Sequence, residues 1–434
     1  MSRSIQRLAL LSVHTCPLAT LGGKRTGGMN VYVRSLAVEF LQRGIQVDVF
    51  TRYQDSCESH IEHERGEGGQ VVHIPAGPAT ALPPISHLEH LGEFAQGVRD
   101  YSTRRGIRYD LIFSHYWLSG CVALDLRQGW IDAEYVPVIQ MFHTLGRMKN
   151  RIALHDWERE PGIRVEKERE VMESVDRIVA STPAEEAQLQ WLYGVDLNKV
   201  VTIPPGVDLK RFRPISLREA RHRVGVPSDD RMILYVGRIE PLKGIDTLIR
   251  AIAILRAGCP DDAPCLHLAI IGGNPNDPLQ ENAEMERLKQ MRIDLGIEDV
   301  VTFLGARDQN SLNYYYSAAE VVVMPSHYES FGMVALEAMA CGTPVIASEV
   351  GGLAFVVQDG ETGFHVEAQD AQALAGKLSL ILDDPALRDR LSHGAVAYAQ
   401  RFSWPLIADR LLTLFGQMHR SKGKTGRRLL SPPV

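Results

Sequence analysis

Long apolar runs, a basic excess and clustered cysteines are all missing from this 434-residue chain. No stretch approaches the ~20 apolar residues that a membrane-spanning helix needs, so no such helix is expected. The opening segment, MSRSIQRLALLSVHT, has a short apolar run without a small-residue cleavage site. It reads as a first β-strand, not as a signal peptide. The net charge of -6 is opposite in sign to the basic surface of a general nucleic-acid binder, so nucleic acid is not expected as a partner. The six cysteines (16, 57, 121, 259, 265 and 341) include no C-x-x-C pair. Reduced thiols in a cytoplasmic protein account for them. His60 and His63 have no third ligand at a plausible spacing, which leaves no expected metal site there.

What is present is a globular composition, 45% hydrophobic and 23% charged, in a chain long enough for two or three domains. Short β-branched runs alternate with helical patterns. Strands are expected at Leu8–His14, Val47–Thr51, Val71–Ile74, Leu111–Ser114, Val136–Phe142 and Arg177–Ala180. The pattern pauses at IPPGVD (Ile203–Asp208) and restarts at Met232–Ile239, Leu266–Ile271, Val300–Leu304, Val321–Met324 and Pro344–Ala347. Such alternation implies parallel strands with helices covering both faces. The expected fold class is therefore α/β, with two successive doubly wound units of about 200 residues each. We place them at residues 1–205 and 206–403, followed by an amphipathic helix Trp404–His419 and a basic, Gly- and Pro-containing tail, 421–434, expected to be disordered. Weak attraction of that tail to an anionic membrane surface stays open, as does a homodimer.

Chemistry concentrates where strands give way to helices. In PSHYESFGMVALEAMACGTP (Pro325–Pro344), Glu329 and Glu337 stand eight residues apart. Gly332 implies that Glu329 lies in a loop beside the free N–H groups of a helix start, and Glu337 a turn or more inside that helix. A ligand with hydroxyls and a phosphate suits such a site, and two solvated surface carboxylates remain the alternative. Arg238 and Lys243 bracket Glu240-Pro241-Leu242 between a strand end and the Gly244 helix start, a seat for a diphosphate. Gly27-Gly28 opens a helix without forming G-x-G-x-x-G, so no dinucleotide fingerprint is present. His143 and Tyr116 fall at strand C-termini, where α/β sheets gather ligands. His115, one residue earlier, reads as core filler.

GGMNVY, SHYWLSG, FHTLG, IPPGVD, GRIEPLKG and the E-x7-E run, in this order, resemble the retaining glycosyltransferases of family 4. The resemblance spans nearly the whole chain and is strongest, in the N-terminal half, to members acting on inositol phosphate, with those making sucrose phosphate nearby. It implies the GT-B fold, two Rossmann-like domains facing each other across a cleft, with the last helix crossing back to the first domain. It also implies a nucleotide diphosphate sugar, UDP-linked, as donor substrate; no cofactor is expected, and no catalytic metal, because no D-x-D motif lies near the site and two cations already do a metal's work. For catalysis the resemblance points to Arg238, Lys243 and His143. For the donor it points to Gly28, Arg238, Lys243, Arg307, Glu329, Phe331, Gly332 and Glu337. For a small hydroxylated acceptor it points to His14, Asn30, Tyr116, Thr144 and Arg164. One departure concerns the acceptor. The Lys that pairs with an acceptor phosphate in those relatives aligns with Pro84, and the acidic residue before the Gly pair is replaced by Lys24-Arg25-Thr26. Transfer to a lipid or polysaccharide, a non-catalytic nucleotide-sugar sensor and a nucleotide-sugar epimerase are the rival readings.

Overall fold

The computed structural model describes residues 5–19, 27–54, 60–61, 69–130, 135–153, 156–258, 265–273 and 281–425. His63, Lys24, Arg25, Cys57 and Cys259 lie outside them. Contacts divide the chain into two compact units. One contains 28–204 together with the N-terminal strand region and Trp404 onward, and the other contains 205–403.

The first unit is built on an eight-stranded sheet. Its strands are β1 (Arg7–Leu11), β2 (Gln46–Arg52), β3 (His60–Ile61), β4 (Gly69–Ile74), β5 (Leu111–His115), β6 (Val138–Met141), β7 (Arg177–Ala180) and β8 (Val200–Thr202). They lie in the order β3-β4-β2-β1-β5-β6-β7-β8, parallel except for β3, which pairs antiparallel with β4. β5, LIFSH, is buried along its whole length, as expected of a strand covered by helices on both faces. The second unit carries six parallel strands: β9 (Arg231–Val236), β10 (Leu266–Ile271), β11 (Val301–Gly305), β12 (Val321–Met324), β13 (Val345–Ser348) and β14 (Gly363–Val366). Their order is β11-β10-β9-β12-β13-β14. The order reverses between β1 and β5 in one unit and between β9 and β12 in the other. At such points the loops leaving neighbouring strands diverge, opening a crevice at the strand C-termini.

The expected α/β class with two parallel-sheet units is what the chain adopts. Details differ. β1 is Arg7–Leu11; two further backbone bonds to β2 follow (Ser12 N–H to the Phe50 carbonyl, 2.9 Å, and Arg52 N–H to the Val13 carbonyl, 3.1 Å), and a turn in which Ser12 Oγ donates to the Thr15 carbonyl (2.7 Å) ends the run before His14. β3 and β8 are too short to show a periodicity in sequence, and β14, GFHV, is half-buried without an apolar run. The last helix runs Trp404–Thr425, so 421–425 continue it where a tail was expected, and 426–434 lie outside the described residues. This helix belongs to the first unit. Phe415 packs on Phe40 (5.7 Å between centroids) and Phe113 (5.6 Å), Trp404 on Tyr32 (5.6 Å), and Arg43 meets Asp409 at 2.9 Å. No described helix is long and apolar enough to cross a membrane.

Candidate active site

In the second unit the crevice is formed by the turn after β9 and the loop after β12. Glycine sets their spacing. Gly244 has φ 64°, and a Cβ there would sit 2.0 Å from the Pro325 carbonyl oxygen, so only glycine lets the two backbones meet. His327 N–H donates to the Leu242 carbonyl at 2.9 Å. On its other side the loop rests on Gly352, whose N–H donates to the Glu329 carbonyl at 2.8 Å and whose Cβ position is 2.3 Å from Phe331 Cα.

The loop therefore holds Glu329 against Lys243, with which it forms an ion pair, while Arg238, 2.6 Å from Glu240, remains well exposed. Both cations are thus in place with their charge lent to neighbouring carboxylates. A diphosphate can compete for them, because it offers more acceptor oxygens at higher charge density. Gly332, at φ 103°, starts the helix Met333–Ala340, with Phe331 buried just before it. Glu337 is inside that helix and buried, accepting a hydrogen bond from Tyr316 Oη at 2.9 Å. Burial raises its pKa to about 7, partly offset by the Tyr316 hydrogen bond and the Arg211 charge. Arg307 follows edge strand β11, where its Nε donates to Tyr315 Oη at 3.2 Å. Among the described residues no contact joins it to the Lys243–Glu329 pair.

In the first unit the crevice lies after β1 and β5. Tyr116 follows β5 at φ 73° and ψ 157°, and His143 follows β6 at φ 61°. Positive φ on bulky residues costs roughly 1–3 kcal/mol each, and side chains so held cluster where function needs them. The Tyr116 ring lies 4.3 Å from that of His14, and its hydroxyl accepts from Arg164 Nη1 at 3.0 Å. Arg164, buried, is fully engaged: Nε donates to Glu168 (2.8 Å), Nη1 also meets Glu160 (2.9 Å), and Nη2 donates to the carbonyl (3.0 Å) and Oγ1 (3.1 Å) of Thr144. His14, Tyr116, Thr144 and Arg164 thus form one connected group. Asn30 sits beside it, donating to Thr15 Oγ1 (2.8 Å) and the Cys16 carbonyl (2.7 Å). Gly28 opens the helix Gly28–Gln42. Pro84 starts the short 3-10 helix Pro84–His90, and from that helix the buried His87 approaches His14 with rings 6.5 Å apart.

Sequence reasoning does not reach Tyr316, Gly351-Gly352 or His327. Each acts through an approach between distant segments, which leaves no local pattern. The ring nitrogens of His327 are buried without a hydrogen-bond partner among the described residues. His115, taken as filler, is within hydrogen-bond reach of His143 (3.1 Å). Among the described residues no three His, Cys, Asp or Glu side chains are gathered to hold a metal ion.

Two Rossmann-like units, each with polar groups at its topological switch point, are the architecture of the GT-B glycosyltransferases, and the matches below place the chain among them. The profile described as Glycosyltransferase Family 4 matches residues 26–211, and that of Glycosyl transferases group 1 matches residues 217–397. The chain belongs to family 4 of the GT-B glycosyltransferases. It is 41% identical over 422 residues, 96% of each chain, to D-inositol 3-phosphate glycosyltransferase of Thermomonospora curvata. The solved sucrose-phosphate synthase of Thermosynechococcus elongatus is 37% identical, with a TM-score of 0.85 over 96% of this chain and 100% of that one. HepE of Anabaena, solved in complex with UDP and glucose, shares the fold at 20% identity and a TM-score of 0.72, covering 95% and 100%.

Proposed function

We propose that this glycosyltransferase moves a hexosyl group, with retention, from a UDP-linked sugar to a hydroxyl of a small acceptor of the inositol-phosphate or sugar-phosphate class. The observation that carries the donor half is the Lys243–Glu329 ion pair at the glycine-braced loop, with Arg238 exposed on the turn after β9 that also carries Lys243. On donor binding, the diphosphate takes Arg238 and Lys243 from Glu240 and Glu329. Glu329 is then released to accept hydrogen bonds from sugar hydroxyls. Glu337 accepts from the ribose, and His143 contacts the sugar near its anomeric carbon.

No carboxylate is assigned beneath that carbon, as a double displacement requires. The reading is instead a front-face reaction. The bond from the anomeric carbon to the diphosphate oxygen breaks, the acceptor oxygen bonds on the same face, and its proton passes to the departing phosphate. Arg238 and Lys243 stabilise the charge that develops there, which is electrostatic catalysis without a metal.

A second reading, an unphosphorylated polyol as acceptor, is favoured by two observations. Arg164 is already shared between Glu160 and Glu168, and Pro84 offers no cation. The test is incubation with a panel of nucleotide sugars, with inositol, inositol phosphate, hexoses or hexose phosphates, followed by mass spectrometry of products. A disaccharide-type product from a UDP-sugar and a phosphorylated acceptor supports the first reading, and product from the neutral acceptors alone supports the second. Free epimerised sugar, or donor binding without turnover, would refute both. Full activity in chelator is expected, and a loss restored by magnesium would sink the metal-free mechanism.

A further inference from the structure

β5 and β6 are parallel neighbours with His115 opposite Met141. This register sets the His115 side chain beside the residue that follows the end of β6 by two positions. The result is a pair of imidazoles, with His115 Nδ1 lying 3.1 Å from His143 Nε2. Phe113 (4.3 Å) and Tyr32 (5.5 Å) pack against the His115 ring, which has no exposed surface, and Tyr32 also meets the edge of His143 at 5.4 Å. The second nitrogen of His115, Nε2, is buried without a hydrogen-bond partner among the described residues. Burial holds both rings neutral at physiological pH, with the His143 pKa lowered to about 3 and that of His115 well below its ordinary value.

Two neutral imidazoles joined by one hydrogen bond share one proton across it, so the direction of the bond fixes both tautomers. If His143 donated from Nε2, His115 would carry its proton on Nε2, a buried donor facing no acceptor. Orphaned buried N–H groups are rarer in folded proteins than unsatisfied acceptors. If His115 donates from Nδ1, the atom left over is a lone pair, and His143 must carry its own proton on Nδ1.

We propose that His115 is a positioning residue that donates to His143 Nε2, fixing His143 as the Nδ1–H tautomer and making it an obligatory hydrogen-bond donor toward an oxygen of the bound sugar substrate. The tautomer stands on this geometry and on both rings being neutral, while its use in catalysis rests on the glycosyl-transfer reading above. A donor fixed in advance has no reorganisation to undergo as negative charge grows on substrate oxygens, and it cannot accept from, and so mis-seat, a sugar hydroxyl.

The test is a long-range ¹H–¹⁵N spectrum of the full chain with labelled histidine, the His143 signals being assigned with His143→Gln. Wild type is expected to show a protonated Nδ1 and a bare Nε2 on His143. A protonated Nε2, or an equal mixture of tautomers, overturns the proposal. His115→Phe keeps ring volume in an apolar pocket but removes the bond. It is expected to mix the His143 tautomers and to lower kcat by as much as ~10²-fold, the scale of a misplaced catalytic contact, with the KM for nucleotide sugar unchanged. His115→Asn, whose amide can donate from nearly the same position, is expected to restore the tautomer and most of the rate. Full kcat in His115→Phe also overturns the positioning role. If the chain transfers no sugar at all, the wild-type spectrum still decides the tautomer, so failure of the functional reading and failure of this one are distinguishable.

Discussion

Glu337 is a carboxyl group whose proton folding retains up to about neutral pH, and pH therefore acts on it in two ways. Its pKa is raised in the folded state, from 4.5 to about 7. The folded protein thus binds more protons than the unfolded chain between those values, and stability is lost as pH rises through about 7. The shift corresponds to about 3 kcal/mol at most. Denaturant melts of wild type are expected to lose stability from pH 5 to 8 relative to Glu337→Gln, which has no proton to lose. Equal slopes would show that Glu337 ionises normally. In the proposed complex the ribose hydroxyls donate to this carboxylate and favour its charged form. Nucleotide affinity should then rise as pH increases through 7, and Glu337→Gln should flatten the dependence. Arg238 gives a plainer expectation. Arg238→Ala removes one charge-stabilising donor, and turnover should fall at least ~10²-fold. A near-normal rate in a steady-state assay would refute its role. These side chains were legible in sequence because Arg, Lys and Glu beside strand-end glycines carry their chemistry openly. The partners Tyr316, His115 and His327 were not, since only folding across tens of residues brings them near.

The connections matter more than the strands they join. The glycines packed against the 325–332 loop, Gly244, Gly351 and Gly352, each answer a steric demand from that loop's backbone, and Gly352 does so without an unusual φ of its own. Its substitution by alanine would push a methyl group into the Phe331 backbone, 2.3 Å away, and so displace Glu329. Gly352→Ala is expected to lower kcat/KM by 10-fold or more, about the scale of a small misplacement near the chemistry. The helix and strand content read by circular dichroism should stay native. Unaltered kinetics would mean that the loop is not braced as described. The strands themselves were visible in sequence, because buried parallel strands are unbroken apolar runs such as MILYV and VVVM. The two- and three-residue strands β3 and β8 carry too few positions for any pattern, β14 (GFHV) is only half-buried and lacks an apolar run, and β1 falls short of His14 because a side-chain turn at Ser12 follows its last backbone bonds to β2.

The whole chain builds two units with very different connectivity. The second is drawn mainly from 205–403, whereas the first needs both 28–204 and Trp404 onward. Phe415, fully buried between Phe40 and Phe113, ties the last helix into the first unit's core. Phe415→Ala is expected to cost about 3–5 kcal/mol, read as a lower denaturation midpoint of the first unit, with nucleotide binding to the second intact. Loss of less than about 1 kcal/mol would show that the helix is only loosely docked.

Built from both ends of the chain, the first unit cannot be finished as it is made. Domains commonly fold in the order in which the ribosome delivers them. Here the first unit must wait, holding the Phe40 and Phe113 surface open, until the last helix leaves the exit tunnel. By then the intervening unit has had its whole sequence available. We expect released chains truncated after Ser403 to resist protease across the second unit while the first is still cleaved. Early protection of residues 28–204 in such chains would reverse that order.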